Sequence, residues 1–433
     1  MPRPMSRPPL PIHDEPCGWN QMLPQRASKP TARGQLSARY VVVGAGYTGL
    51  AAARRLAELA PEAEIIVLEG TEVGEGSSGR NSGFANPRDS KIGLSLAQMD
   101  RAERVNALTA EGFAALNAAM EQHGFDCDLE RVGRITGAAT ELGAEKVRGM
   151  IEGAKAHGFE HVALDAAGME AVTGSRYYRC GIRTAEGYLL QPAKLVRGLA
   201  DSLPGNIRLF ENSTVTSLER GRTWTLKTAD ATITAQTVIL ATNPAIKHFG
   251  YWRDGIVTIY TFAAITEAMS EADAAKMGEP AWGLLPAHRL GSTLRRVGKD
   301  RFLVRSLYSY EKPVPRDEVR RRLADNFHRR FPALKHVALE YVWGGTTALT
   351  MNGSPRWGKL DENLYGSAGC NGSGVVKGTI LGKRLAELIV TGDPQADVIS
   401  AYGSANRIAP EPFRTIGFHV VSALERRRCG LEM

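Results

Sequence analysis

The stretch "RYVVVGAGYTGLAAARRLAELAPEAEIIVLEG" (residues 39–70) decides the fold. Its β-branched run Val41-Val42-Val43 reads as a buried strand; glycines, an alanine-rich helical segment, a second apolar run and an acid follow. Gly44, Gly46 and Gly49 form the pattern GxGxxG. The first glycine permits a tight turn, the second lets the backbone approach a pyrophosphate, and the third lets the helix sit close to the strand. Ala45 and Thr48 stand between them and belong to the same cofactor-binding set. A helix opening at Tyr47 directs its free N–H groups and positive end at the phosphates. Glu69 closes the second strand, 20 residues beyond Gly49. A carboxylate there accepts hydrogen bonds from both ribose hydroxyls and repels a 2′-phosphate, which disfavours NADP.

FAD and NAD are separated by what comes next, "VGEGSSGRNSGF" (73–84). A second loop of small residues suits the longer flavin cofactor, which needs another backbone-lined cradle free of Cβ atoms. Within it Arg80 and Asn81 add a cation and an amide amid glycine and serine, suited to phosphate or the flavin ring. On local composition alone the same stretch also reads as a surface loop.

With both motifs in view, the chain resembles the FAD-dependent D-amino-acid oxidase superfamily, in the branch holding γ-glutamylputrescine oxidase, glycine oxidase and sarcosine oxidase. "VVVGAGYTGLAAARRLAE", "LEGTEVGEGSSGRNSG", "GYLLQPAKLVRGLA" (187–200), "TVILATN" (237–243) and "LYGSAGCNGSGVVKGTILGKRLAE" (364–387) occur in that family's order, spanning about residues 18–415. The resemblance implies an α/β fold (α+β overall): a Rossmann-like FAD-binding domain built from a discontinuous chain, plus a substrate domain with an antiparallel sheet. The expected boundaries are 1–38 for an extended arm packed through Trp19 and Leu23, and 39–95, 187–250 and 340–415 for the FAD domain. Residues 96–186 and 251–339 would form the substrate domain, with 416–433 as a basic tail. The resemblance also implies that Ser78, Arg80 and Asn81 lie in the loop crossing the flavin, that Val215 clamps adenine and that Ala241 and Thr242 lie near the cofactor. Gly369, Gly372, Ser373 and Gly374 would open a helix facing the flavin, with Lys377 in reach of the ring. Relatives often carry a histidine where this chain has Ser373. Non-covalent FAD is expected, because the spacing around Cys370 differs from the attachment pattern of covalent relatives.

In this family the reaction resembles hydride transfer from a C–H beside nitrogen to flavin N5, followed by imine hydrolysis. The substrate is then an amine or an N-substituted or D-amino acid, and the acceptor is O2 or an electron carrier. Tyr260, Arg295 and Tyr308 are the expected substrate-binding residues, and Lys377, Arg305 and Tyr260 the candidates for catalysis; an arginine here would pair with a carboxylate in fork geometry. The ordinary role for any one of these arginines is a surface ion pair. Trp343 reads as core. An alternative function is a flavin-binding subunit of a hetero-oligomeric dehydrogenase, inactive alone.

Bulk properties agree with a two-domain enzyme. The chain has 433 residues, 43% hydrophobic and 23% charged, with a formal net charge of +8. The densest basic runs, "RDEVRRRLADNFHRR" (316–330) and "LERRRCGLEM" (424–433), are mixed with acids and read as a solvated helix face and a charged tail rather than a nucleic-acid surface. Five cysteines without CxxC spacing point to a reducing compartment and to no metal site. The start is broken by prolines and lacks a signal-peptide core, and no run is of transmembrane length, so the expectation is a cytoplasmic protein. Homo- and hetero-oligomers both remain open.

Overall fold

Val41, Val42 and Val43 end the central strand of a mixed sheet and are buried on both of its faces. In the computed structural model, which describes residues 13, 15–88 and 96–433, this strand (Gly34–Val43) runs parallel to Ile65–Leu68 on one side and Ala231–Leu240 on the other. Ile207–Phe210 extends the parallel set beyond Ile65–Leu68. Leu364–Ala368 joins parallel to the C-terminal half of Ala231–Leu240, and Ser217–Arg220 and Trp224–Lys227 complete an antiparallel edge. The carboxyl ends of these parallel strands therefore reach one edge of the sheet together. At such an edge α/β proteins bind their ligands, because the strand-to-helix turns gather there.

Two helices pack against each other over this sheet, Tyr47–Leu59 and Gly374–Thr391. Their approach depends on glycine: a Cβ at Gly382 would stand 2.1 Å from the Thr48 carbonyl oxygen. The long helix Leu96–His123 packs against Gly374–Thr391 as well, with Gly112 against the Val376 carbonyl. From sequence this helix was assigned to the substrate domain; its contacts lie with the nucleotide-side helices.

The second sheet has eight strands in the order Leu339–Leu349, Val257–Thr266, Arg301–Tyr310, Thr293–Val297, Gly283–Pro286, Arg134–Ala138, Cys180–Thr184, His161–Leu164. It is antiparallel except where Gly283–Pro286 runs beside Arg134–Ala138. Helix Arg316–Arg330 covers one face through Phe327, which packs with Phe302 and Phe331 at 5.6 and 5.5 Å between ring centroids. The other face looks toward the nucleotide-binding edge.

Several boundaries differ from the sequence reading. Leu339–Leu349, expected in the FAD domain, pairs along Val257–Thr266 in the second sheet, and the chain returns to the first sheet at Arg356. The arm becomes sheet at Gly34, earlier than residue 39. Residues 416–433 are not a loose tail: Phe413–Cys429 is a 17-residue helix. The proline-rich start (1–12) and the expected boundary at residue 95 lie outside the described residues. Trp19 of the arm is buried edge-on against Trp343 at 6.1 Å, and its indole N–H donates to the Asn81 carbonyl at 2.8 Å. Among the described residues no helix is long and apolar enough to cross a membrane.

Candidate functional site

A continuous cavity of about 970 Å³ runs from the carboxyl edge of the first sheet to the facing surface of the second. Its inner end is the glycine turn. Gly44 has φ +103°, a conformation that favours glycine, and a Cβ there would meet the Ala241 carbonyl at 2.8 Å. A Cβ at Gly46 would stand 2.6 Å from Ser78 Oγ, so the second glycine also admits the serine of the second loop. Ser78 Oγ accepts the Tyr47 N–H at 3.2 Å at the helix N-terminus. Gly49 does not line the cavity; its Cβ would lie 1.8 Å from the Gly44 oxygen, so it holds the turn and helix together.

Glu69 lies at the end of its strand with one carboxylate oxygen accepting the Ala45 N–H at 2.8 Å and the other the Thr71 N–H at 3.1 Å. Burial pushes its carboxyl above the ordinary range, and these N–H groups pull the other way. Val215, Ala241 and Thr242 line the same end, and the Thr242 hydroxyl is buried without a partner among the described residues. Opposite them Gly372, Ser373 and Gly374 open the Gly374–Thr391 helix toward the cavity. Two helix N-termini, a buried carboxylate and a glycine turn thus border one cavity, a donor set that fits a dinucleotide.

Other expected residues lie elsewhere or are already engaged. Arg80 borders the cavity, but its guanidinium donates to the Glu75, Gly344 and Glu15 carbonyls and pairs with the Glu75 carboxylate at 2.9 Å. It pins the second loop to the second sheet. The Asn81 amide closes the turn, donating to the Ser78 carbonyl and accepting the Gly83 N–H. Gly369, at φ +78°, shapes the turn without lining the cavity. Lys377 is buried outside the cavity with its ammonium 5.2 Å from the centre of the Tyr402 ring.

The substrate candidates separate in the same way. Arg305 and Tyr308 line the outer part of the cavity, and Arg305 Nη1 donates to the Tyr308 hydroxyl at 2.7 Å. Tyr260 is on the opposite face of its strand, buried among the Phe302–Phe327 cluster. Arg295 is buried under Trp19 at 5.3 Å, donating to the Ser82, Gly83 and Leu190 carbonyls, and burial lowers its pKa to about 10. These two are not in the cavity, because the pleat and the arm direct them into packed polar or apolar surroundings.

Sequence reasoning missed four contributors. Thr346, after the paired glycines, meets Ser77 Oγ at 2.9 Å, and Thr347 Oγ1 lies 3.3 Å from Cys370 Sγ. Asn243 donates to the same sulfur at 3.4 Å and accepts the Gly369 N–H at 3.1 Å. The C-terminal helix Phe413–Cys429 roofs the outer end with Phe413, Gly417, Phe418, Val421 and Arg426. The i, i+4, i+8 spacing of Phe413, Gly417 and Val421 was a signal that the arginine-rich composition hid.

Residues 39–388 match the model of the family described as FAD dependent oxidoreductase, DAO. The chain belongs to that family. It is an FAD-dependent oxidoreductase, and the dinucleotide cradle is therefore one for FAD. It is 29% identical over 406 residues to a probable oxidoreductase OrdL of Haemophilus influenzae, covering 89% of this chain and 92% of that one. It is 28% identical over 361 residues to the gamma-glutamylputrescine oxidoreductase of Escherichia coli, covering 80% and 82%. Glycine oxidase from Geobacillus kaustophilus has a similar fold, with a TM-score of 0.72 at 17% identity over 87% of this chain and all of that one.

The FAD cradle yields a direct prediction. Glu69→Gln keeps the shape and an acceptor for the Ala45 N–H but would lose the charge-assisted bonds that a ribose-binding carboxylate would make. FAD should bind about tenfold more weakly, read as the dissociation constant from quenching of flavin fluorescence on reconstitution.

Proposed function

We propose that the protein oxidises the C–N bond of an amine or amino acid that carries a carboxylate. The observation supporting this reading is the Arg305–Tyr308 pair. It is half-buried in the cavity that also holds the FAD cradle, with no carboxylate partner for Arg305 among the described residues. A guanidinium and a phenol on one wall form a carboxylate anchor, since the planar fork offers parallel N–H donors and the hydroxyl a third.

The chain's own residues supply binding, orientation and exclusion of water. Gly44, Ala45, Gly46, Thr48 and Ser78 would take the pyrophosphate, Glu69 the ribose, and Val215 the adenine side. The N-terminus of Gly374–Thr391 would stabilise negative charge on the ring system. The chemistry the flavin supplies is acceptance of a hydride from the carbon beside the substrate nitrogen, leaving an imine that water hydrolyses. Arg305 would hold the carboxylate so that this C–H faces the ring. Ile259, Thr261 and Leu290 would help wall the reacting end of the cavity.

The similarity to a protein named for γ-glutamylputrescine supports an amine as the reacting group. The test is the visible spectrum of the FAD-loaded protein under anaerobic addition of amines and N-methyl amino acids. Bleaching of the flavin bands by a carboxylate-bearing amine is the expected result, and recovery in air would mark O2 as acceptor. Flavin bands that no amine bleaches, while dithionite does, would sink the reading.

A further inference from the structure

The outer end of the cavity carries an uneven charge. Arg289, Arg305, Arg414 and Arg426 border it, against one carboxylate, Glu425. Glu425 is itself engaged by Arg289 at 3.0 Å and by His288 at 3.3 Å, and Arg414 is paired with Glu411 at 2.8 Å. Among the described residues that leaves Arg305 and Arg426 without an acidic partner. Both meet Tyr308: Arg305 holds its hydroxyl at 2.7 Å, and Arg426 Nη2 donates to its backbone carbonyl at 3.2 Å. The two guanidiniums therefore flank one residue at different depths, Arg305 half-buried in the wall and Arg426 exposed at the rim.

The roof that carries Arg426 is held at both ends. Before it, the Ile408 N–H donates to the Asp254 carbonyl at 2.7 Å. Beyond it, the buried Glu432 carboxylate accepts the Ala139 and Thr140 N–H groups and the Thr140 hydroxyl at 2.9–3.0 Å. Tyr310 stacks on Phe418 of the roof at 4.6 Å. Arg426 is thus carried on a helix tied at both ends to the second sheet and the segments that flank its strands.

We infer that this rim is a second anion site and that the substrate is an amine bearing two carboxylates, or a carboxylate and another anionic group. This deepens the reading above and rests on it. Arg305 takes the group beside the reacting carbon and Arg426 the one at the far end. A cavity mouth lined by one sign of charge between low-dielectric walls concentrates anions and repels cations. The same field refuses free diamines and polyamines, whose ammonium groups would lie against unpaired guanidiniums.

The test uses the full-length FAD-loaded protein and dead-end ligands that perturb the flavin spectrum: glutarate, butyrate and butylammonium, titrated at low and high NaCl. Glutarate should bind roughly tenfold tighter than butyrate at low salt, the advantage shrinking as salt screens the rim, and butylammonium should bind weakest. Arg426→Gln should weaken glutarate roughly threefold to tenfold and leave butyrate nearly unchanged, whereas Arg426→Lys should restore most of the loss. Butylammonium binding as tightly as glutarate, or an Arg426→Gln variant with unaltered glutarate affinity and salt dependence, would overturn the second site. If glutarate behaves as expected yet no amine reduces the flavin, the amine-oxidation reading fails and the anion site stands.

Discussion

Gly49→Ala should purify without bound flavin. The added Cβ would sit 1.8 Å from the Gly44 carbonyl oxygen and 3.3 Å from the Ala241 Cβ. The first of these contacts is with backbone, which cannot swing aside as a side chain does. Either the Tyr47–Leu59 helix moves away from the turn or the turn opens, and both redirect the N–H groups that would face the pyrophosphate. Overpacking of this kind costs about 3 kcal/mol. Losing one or two charge-assisted hydrogen bonds, at about 1.5–3 kcal/mol each, would weaken FAD binding about a hundredfold. The measurements are the ratio of flavin to protein absorbance and the FAD dissociation constant. Gly149→Ala is the contrasting substitution. Gly149 lies inside helix Glu141–Ala156 with nothing within 4 Å of the new methyl, so it should keep its flavin and gain about 0.5–1 kcal/mol of stability. Equal flavin content in the two variants would contradict the close-packing account.

Arg305→Met should lower kcat/KM for a carboxylate-bearing amine by two to three orders of magnitude while leaving the FAD content unchanged. Removing one partner of a buried, charge-assisted pair costs about 2–5 kcal/mol, and each 1.4 kcal/mol is tenfold. Arg305→Lys should recover only part of this, because an ammonium lacks the planar fork. Tyr308→Phe should cost about fivefold, the worth of one hydrogen bond near 1 kcal/mol. The reason Arg305 and Tyr308 share the cavity wall is a bulge. Three residues apart on a regular strand they would point to opposite faces. Here Thr261 faces Tyr308 and Phe262 faces Ser306, which leaves Leu307 as the extra residue, at φ +63°. That one residue shifts the alternation and sets both side chains on the cavity face. Steady-state kinetics of the three variants, with unchanged rates for all, would remove the pair from the site.

What could be read along the chain and what could not divide on physical grounds. The glycine turn, the acid after the second strand and the second small-residue loop were legible because each is a local demand. A positive φ at Gly44, a fixed distance from turn to ribose and room for a backbone approach are met by residues close in sequence. The α/β character and the long helices followed from periodicity for the same reason. The outer site was legible only as a set of candidates. Tyr260, Arg295, Arg305 and Tyr308 look alike in sequence, and Lys377 sits one turn inside a glycine-opened helix. The strand pleat turned Tyr260 into the core, the N-terminal arm closed over Arg295, and the Tyr402 ring drew Lys377 aside. The bulge at Leu307 selected Arg305 and Tyr308. The arginine-rich C-terminus became a roof because the buried Glu432 carboxylate found three donors, from Ala139 and Thr140, far away along the chain. Sequence by itself determined where a dinucleotide lies, since that needs only neighbouring backbone. Which cations face the cavity depended on pairing partners far away along the chain, and only the tertiary structure decided that.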